Sequence, residues 1–370
     1  MATLQSNPRR RTDLVFSFQE VQTEPTSSVE LRAFLQQMPK IDLHRHLEGS
    51  LRLQTLAEIA VAHGIDLPAY SIEDLRRYVQ ARDDQPDYHR FLAKFRLLRR
   101  FYRNREALER IATEAVADAT ADNIRYLELR FNPIALSRAQ RFPLQDVVEW
   151  VTGAIARAQQ TYPITVRLLL QIGRDEIPSV AEDILELALS YRARGIVGLD
   201  LAGDEVNYPA HRLAPIFRRA RQEGLGVTIH AGEAGGAANV RDAILRFHAQ
   251  RIGHGIHAVE NSEVVRLLLE RNIALEVCPT SNLQTRTVHS LSHHPLSDML
   301  ALGLRATLNT DDPSISDTTL TDEYLVAITA MGLELGQLRL MVFNAVDAAF
   351  LPEEERKGAL RKEFAAWETL

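Results

Sequence analysis

With 370 residues, 45% of them hydrophobic and 25% charged, the chain can bury a large core, and α/β barrels of this length form one domain with insertions. A formal net charge of −6 creates no field that would recruit nucleic acid or an anionic membrane. One cysteine, Cys278, excludes an internal disulfide framework and fits a reducing compartment.

Residues 1–28 read as an N-terminal extension of low or induced order, and 29–370 as a single domain. The opening "MATLQSNPRRRTDLVFSFQEVQTEPTSS" lacks the charged-then-apolar order of a secretory signal. Its Arg9–Arg10–Arg11 run reads as solvated. No apolar run approaches membrane-spanning length, which points to a cytoplasmic protein.

Short β-like runs then recur at 40–44, 124–131, 164–172, 196–202, 225–231, 250–255, 273–279 and 305–311. Several are dense in Ile, Val and Leu, as strands buried on both faces should be. Between them lie stretches of helical periodicity such as "VAEDILELALSYRARG" and "NSEVVRLLLERN". Eight such units predict a parallel (β/α)8 TIM barrel, with a doubly wound open sheet as the competing architecture. The connection after the first strand is too long for a plain crossover and predicts a helical insertion over about 50–120. Its arginines at 96, 99, 100, 103 and 105 offer a nucleic-acid face or a solvated helix surface. No motif of a nucleic-acid module accompanies them, so solvation is the better reading. Internal repeats and low-complexity tracts are absent.

The chemistry collects at strand ends. In "IDLHRHLEGS", His44 and His46 share a face if the segment is a strand, with Arg45 opposite. They are then half of a metal site; in a turn they would be two exposed histidines. Further along, strands run into "DLAGDE" (Asp200 to Glu205), "HAGE" (His230 to Glu233), "GHG" around His254, and "NTDDP" with Asp311 and Asp312. Three histidines and an aspartate gathered from four strand ends suit one zinc ion with an open position for water. Such an ion lowers the pKa of bound water to about 7. Glu233, past a glycine turn from His230, is the natural general acid/base; the alternative is a carboxylate favoured by a helix N-terminus. Other templates fail. HExxH, the PCxxC ligand pair, GxSxG and Walker A are all missing. "HAGEAGGAAN" has no phosphate-loop lysine, and Cys278 reads as a small buried strand residue.

The ordered set "HRHLEG", "LDLAGDE", "HAGE", "RIGHG", "CPTSN" and "NTDDP" resembles the adenosine deaminase family of the amidohydrolase superfamily. The likeness runs from about Pro39 to Asp317, and "YLELRFNP" is similar to the bacterial enzymes. It implies a (β/α)8 barrel and one zinc held by His44, His46, His230 and Asp311. Glu233 would protonate purine N1, and His254 would orient the zinc-bound hydroxide that attacks C6. Asp311 would belong to the catalytic group as well. On the substrate side, Asp312 would bond N7, the backbone of Gly203 would meet N3, and His46 and Glu48 would line the ligand. The expected reaction turns adenosine, and 2′-deoxyadenosine, into inosine or its deoxy form plus ammonia. One departure bears on the substrate. Glu48 stands where the family's aspartate in "HLDG" reaches toward the ribose 5′-hydroxyl, an extension of roughly 1.5 Å. Relatives that deaminate adenine or aminodeoxyfutalosine carry "HLEG", so another 6-aminopurine is the alternative substrate. A non-catalytic ligand-binding barrel is the third reading. Neither nucleic acid nor membrane is expected as a partner, and the oligomeric state is open.

Overall fold

Eight strands pair in chain order, each parallel to the next, in the computed structural model, which describes residues 27–67, 71–82 and 84–369. They are β1 (Lys40–His46), β2 (Ile124–Phe131), β3 (Thr165–Gly173), β4 (Ile196–Ala202), β5 (Gly226–Ala231), β6 (Arg251–His254), β7 (Ala274–Val277) and β8 (Arg305–Leu308). This unbroken order lacks the reversal of a doubly wound sheet and leaves the barrel.

Closure is made at the site end. β8 leaves the ladder at Leu308, three residues before the expected end, and the Asn309 side chain takes over by accepting the Leu43 N–H (2.9 Å). Asp311 then pairs with Arg45 as an isolated bridge: its N–H donates to His44 O (2.8 Å) and its carbonyl accepts from His46 N (2.9 Å). β1 in turn runs two residues beyond 40–44 and carries both histidines.

Helix α1 (Ser28–Gln37) starts at a capping box between Ser27 and Glu30. The extension expected over 1–28 lies outside the described residues up to residue 26. The insertion is present as α2 (Leu53–His63), α3 (Ile72–Val79), α4 (Tyr88–Leu98) and α5 (Arg105–Ala121). Side chains of Ser71, Asp87 and Asn104 cap the last three by accepting backbone N–H groups. On α4 and the turn after it, Tyr88, Phe91, Leu92, Phe95 and Arg99 fall on one helical face and roof a cavity at the carboxyl end of the barrel. The solvated-surface expectation therefore holds for Arg96, Arg100 and Arg105, which are exposed, but not for Arg99 and Arg103. These two are half-buried, because the inserted helices pack against the barrel mouth. No helix among the described residues is long and apolar enough to cross a membrane.

Barrel interiors are usually filled by branched apolar side chains. Here Glu128, Arg130, Asp200, Arg251 and Glu276 are buried inside. The Glu276 carboxylate accepts from His44 Nδ1 (2.6 Å), Arg130 Nη2 (3.0 Å), Arg251 Nε (2.5 Å) and Thr228 Oγ1 (3.0 Å). Arg251 also donates to Glu128 (2.5 Å), and its guanidinium lies 3.6 Å from the centre of the Phe350 ring. That ring occupies space left by glycine. A Cβ on Gly226 would come within 2.3 Å of it. Gly226→Ala is expected to lower unfolding free energy by about 1–3 kcal/mol through overpacking, measured by denaturant titration. An unchanged midpoint would mean that the ring moves aside freely.

Candidate active site

His44, His46, His230 and Asp311 each place one ligand atom within 4.8 Å of the other three, and all four are buried. They come from three strand ends and not four, because His44 and His46 share β1. Each imidazole is held from behind. His44 Nδ1 meets Glu276 (2.6 Å), His46 Nδ1 meets Gln171 Oε1 (3.0 Å) and His230 Nδ1 meets Asp200 Oδ1 (3.0 Å). An Nδ1–H donated outward leaves a lone pair on Nε2, aimed inward.

Those inward atoms crowd one another. His46 Nε2 lies 3.2 Å from His230 Nε2, and Asp311 Oδ1 lies 3.2 Å from both His44 Nε2 and His46 Nε2. His44 Nε2 has no hydrogen-bond partner. Lone pairs and a carboxylate facing each other repel unless a cation sits among them, so this cluster fits a metal ion. Burial lowers the His230 pKa to about 4, against the pull of Asp200, so the ring is neutral at pH 7 as a ligand must be. Three nitrogens and one carboxylate oxygen are a donor set of the kind zinc takes.

Two of the site residues adopt left-handed backbone, Asp311 at φ 61° and His254 at φ 61°. Non-glycine residues there carry strain of about 1–3 kcal/mol each, persisting where surrounding contacts over-determine them. For Asp311 those contacts are the two bridge hydrogen bonds to β1. The loop after β5 is held by Glu205, whose carboxylate accepts from the backbone N–H of Gly232 (2.6 Å), Glu233 (3.1 Å), Ala234 (3.1 Å) and Gly235 (3.0 Å).

His46, Glu48, Gly203, His230, Glu233, His254, Asp311 and Asp312 all line one cavity. His44 lies behind it. Burial, then the carboxylates of Asp311 and Glu205, push the Glu233 carboxyl well above its usual range. Burial and the Asp311 charge raise Asp312 in the same way. Burial alone would lower His254, and the ring stays neutral despite Asp311. Glu48 accepts from Asn132 N–H (2.8 Å) through Oε1, whereas its Oε2 is buried without a partner. Cys278 is buried one residue past β7, and burial pushes its thiol up, which disfavours a nucleophilic thiolate.

Sequence reasoning missed Gln171 and Glu276 behind the histidine cluster, and Tyr88, Arg99 and Thr285 on the cavity wall. The first two left a readable signal: single polar residues inside the apolar runs "LLLQI" and "ALEV". The α4 face left none, because its partner surface forms only when the insertion folds over the barrel.

A family model described as adenosine deaminase matches residues 39–367. The adenosine deaminase of Shigella flexneri serotype 5b is 39% identical over 329 residues, 89% of this chain and 98% of that protein. Among solved structures, the adenine deaminase of Arthrobacter aurescens superposes with a TM-score of 0.82 at 27% identity, covering 90% of this chain and all of that one. A zinc-bound amidohydrolase from Burkholderia ambifaria gives a TM-score of 0.83 at 26% identity, covering 94% and 95%.

Proposed function

The chain belongs to the adenosine deaminase family, and from that membership we propose that it hydrolyses adenosine, and 2′-deoxyadenosine, at C6. Water adds, ammonia leaves, and the 6-oxo nucleoside is formed. The observation that carries the reading is one cavity that joins the inward-facing histidine cluster to two buried carboxyls, Glu233 and Asp312.

His44, His46, His230 and Asp311 would hold one zinc per chain. When bound, the ion supplies a water acidified to a pKa near about 7. Glu233 gives its proton to purine N1, which draws electrons from C6 and opens it to addition. The nearby His254 Nε2, 3.6 Å from Glu233 Oε2, faces the place where the oxygen adds. Asp312, as a neutral acid, donates to N7, an acceptor only. The Gly203 backbone meets N3 and fixes the ring in its plane.

Glu48 is assigned to the sugar side, since Asp312 and Glu233 already occupy the purine edges. A second reading, deamination of free adenine, draws on the Arthrobacter neighbour and on the longer side chain at this position. Ammonia release from adenosine, 2′-deoxyadenosine, adenine, AMP and aminodeoxyfutalosine, ranked by kcat/KM, decides between them. With adenosine first, Glu48→Ala should lose a charge-assisted hydrogen bond of about 1.5–3 kcal/mol, roughly 10- to 150-fold in kcat/KM. Its weak rate on adenine should be nearly unchanged, and Glu48→Asp should be mild. Adenine as the preferred substrate, or equal losses on both, would remove the ribose role.

A further inference from the structure

Behind His254 lies a chain of buried hydrogen bonds that begins at a backbone N–H and runs in one direction. Leu296 N–H donates to His294 Nδ1 (3.1 Å). A backbone amide cannot accept in return, so His294 Nδ1 is an acceptor and, in the neutral ring, the proton sits on Nε2. Burial keeps that ring neutral, with its pKa lowered to about 4. His294 Nε2–H then meets Asn282 Oδ1 (3.2 Å), which turns the amide nitrogen Nδ2 toward His254 Nδ1 (3.1 Å). Reversing the Asn282 amide would set its NH2 against the His294 N–H, donor to donor, so the orientation follows from the chemistry.

We propose that His294 and Asn282 are positioning residues that fix the tautomer of His254, placing its proton on Nε2 so that the ring enters the reaction as a hydrogen-bond donor. His254 Nε2 lies 3.6 Å from Glu233 Oε2 and 3.9 Å from Asp311 Oδ2, too far for a hydrogen bond to either, and is left to meet an atom between them. A donor there stabilises negative charge growing on the oxygen that adds to C6. The opposite tautomer would present a lone pair to that oxygen and repel it. His294 is 40 residues from His254 in sequence, touches none of the cavity, and reaches the reaction only through Asn282, which is fully buried.

The deamination arm of the test rests on the function proposed above; the tautomer arm uses no substrate, so the two can fail separately. In ¹⁵N-histidine-labelled, zinc-loaded full chain, His254 should show a protonated Nε2 and an unprotonated, hydrogen-bonded Nδ1. His294→Gln keeps a donor toward Asn282 and should keep both the ¹⁵N pattern and kcat. His294→Leu removes it, frees the Asn282 amide to turn, and should mix the two tautomers. With adenosine, kcat should fall roughly 10- to 100-fold at nearly constant KM, short of the 10²–10³-fold loss of a whole oxyanion donor. A wild-type His254 protonated at Nδ1 would overturn the proposal, and that spectrum needs no variant to fold. So would a His294→Leu protein with unaltered ¹⁵N pattern and kcat. Absence of turnover in the wild type, with the expected tautomer, would count against the reaction and not against the relay.

Discussion

Glu233→Gln is expected to keep its metal and lose kcat by about 10²–10⁴-fold or more. The amide matches the carboxyl in volume, and the Glu205 carboxylate holds the backbone of this loop whatever side chain residue 233 carries. Only proton transfer is removed. The pH profile adds a second check. Because burial and the charges of Asp311 and Glu205 raise the Glu233 pKa, the acid form persists well above the range of a free glutamate. Activity that depends on it is lost as pH rises through the raised value, and the variant's residual rate should lack that limb. Metal content and steady-state kinetics on the same preparation decide the matter. A near-normal kcat would make the carboxylate structural, and metal loss would show that it helps hold the ion. A barrel that only binds ligands predicts no turnover in either protein.

His230→Ala is expected to lose both metal and activity. The ring supplies one of four converging donors, and its Nδ1 bond to Asp200 aims it. Protein prepared without added metal should carry about one equivalent of zinc or a first-row substitute, and the variant close to none. Losing the ion also removes its linkage to folding, so the gap in unfolding temperature between wild type and variant should close in excess chelator. A variant that holds a full equivalent would strike His230 from the ligand set.

How much of this was legible in the sequence differs from residue to residue. His44 and His46 were readable as a same-face pair because strand side chains alternate with period two, a rule of the backbone alone. Eight strands and the long insertion were readable from apolar runs and from the spacing between them. Glu233 was readable from its place just past a strand-end histidine. Hydrogen-bond direction was not. The tautomer of His254 follows from Leu296, His294 and Asn282, whose meeting depends on how the segment after β7 folds back.

The one-dimensional pattern by itself determined eight β/α units and the donor atoms grouped at their strand ends, since periodicity and strand-end position are local properties, while the order in which the strands pair decided for the barrel over the doubly wound sheet. The resemblance to the adenosine deaminase family, not the pattern, marked Glu48 as the residue on which the sugar side of the substrate turns. Tertiary structure alone decided the rest. The ladder ends at Leu308 because Asn309 replaces a backbone acceptor, and this puts Asp311 into a left-handed bridge beside β1. Arg99 became a cavity residue through the docking of α4, and Glu276 became the hub of a buried ion network through closure of eight strands. Acidity was decided there too: Glu233 and Asp312 are unremarkable carboxyls in a linear chain. Their pKa values rise only where burial strips their water and other carboxylates are brought within reach.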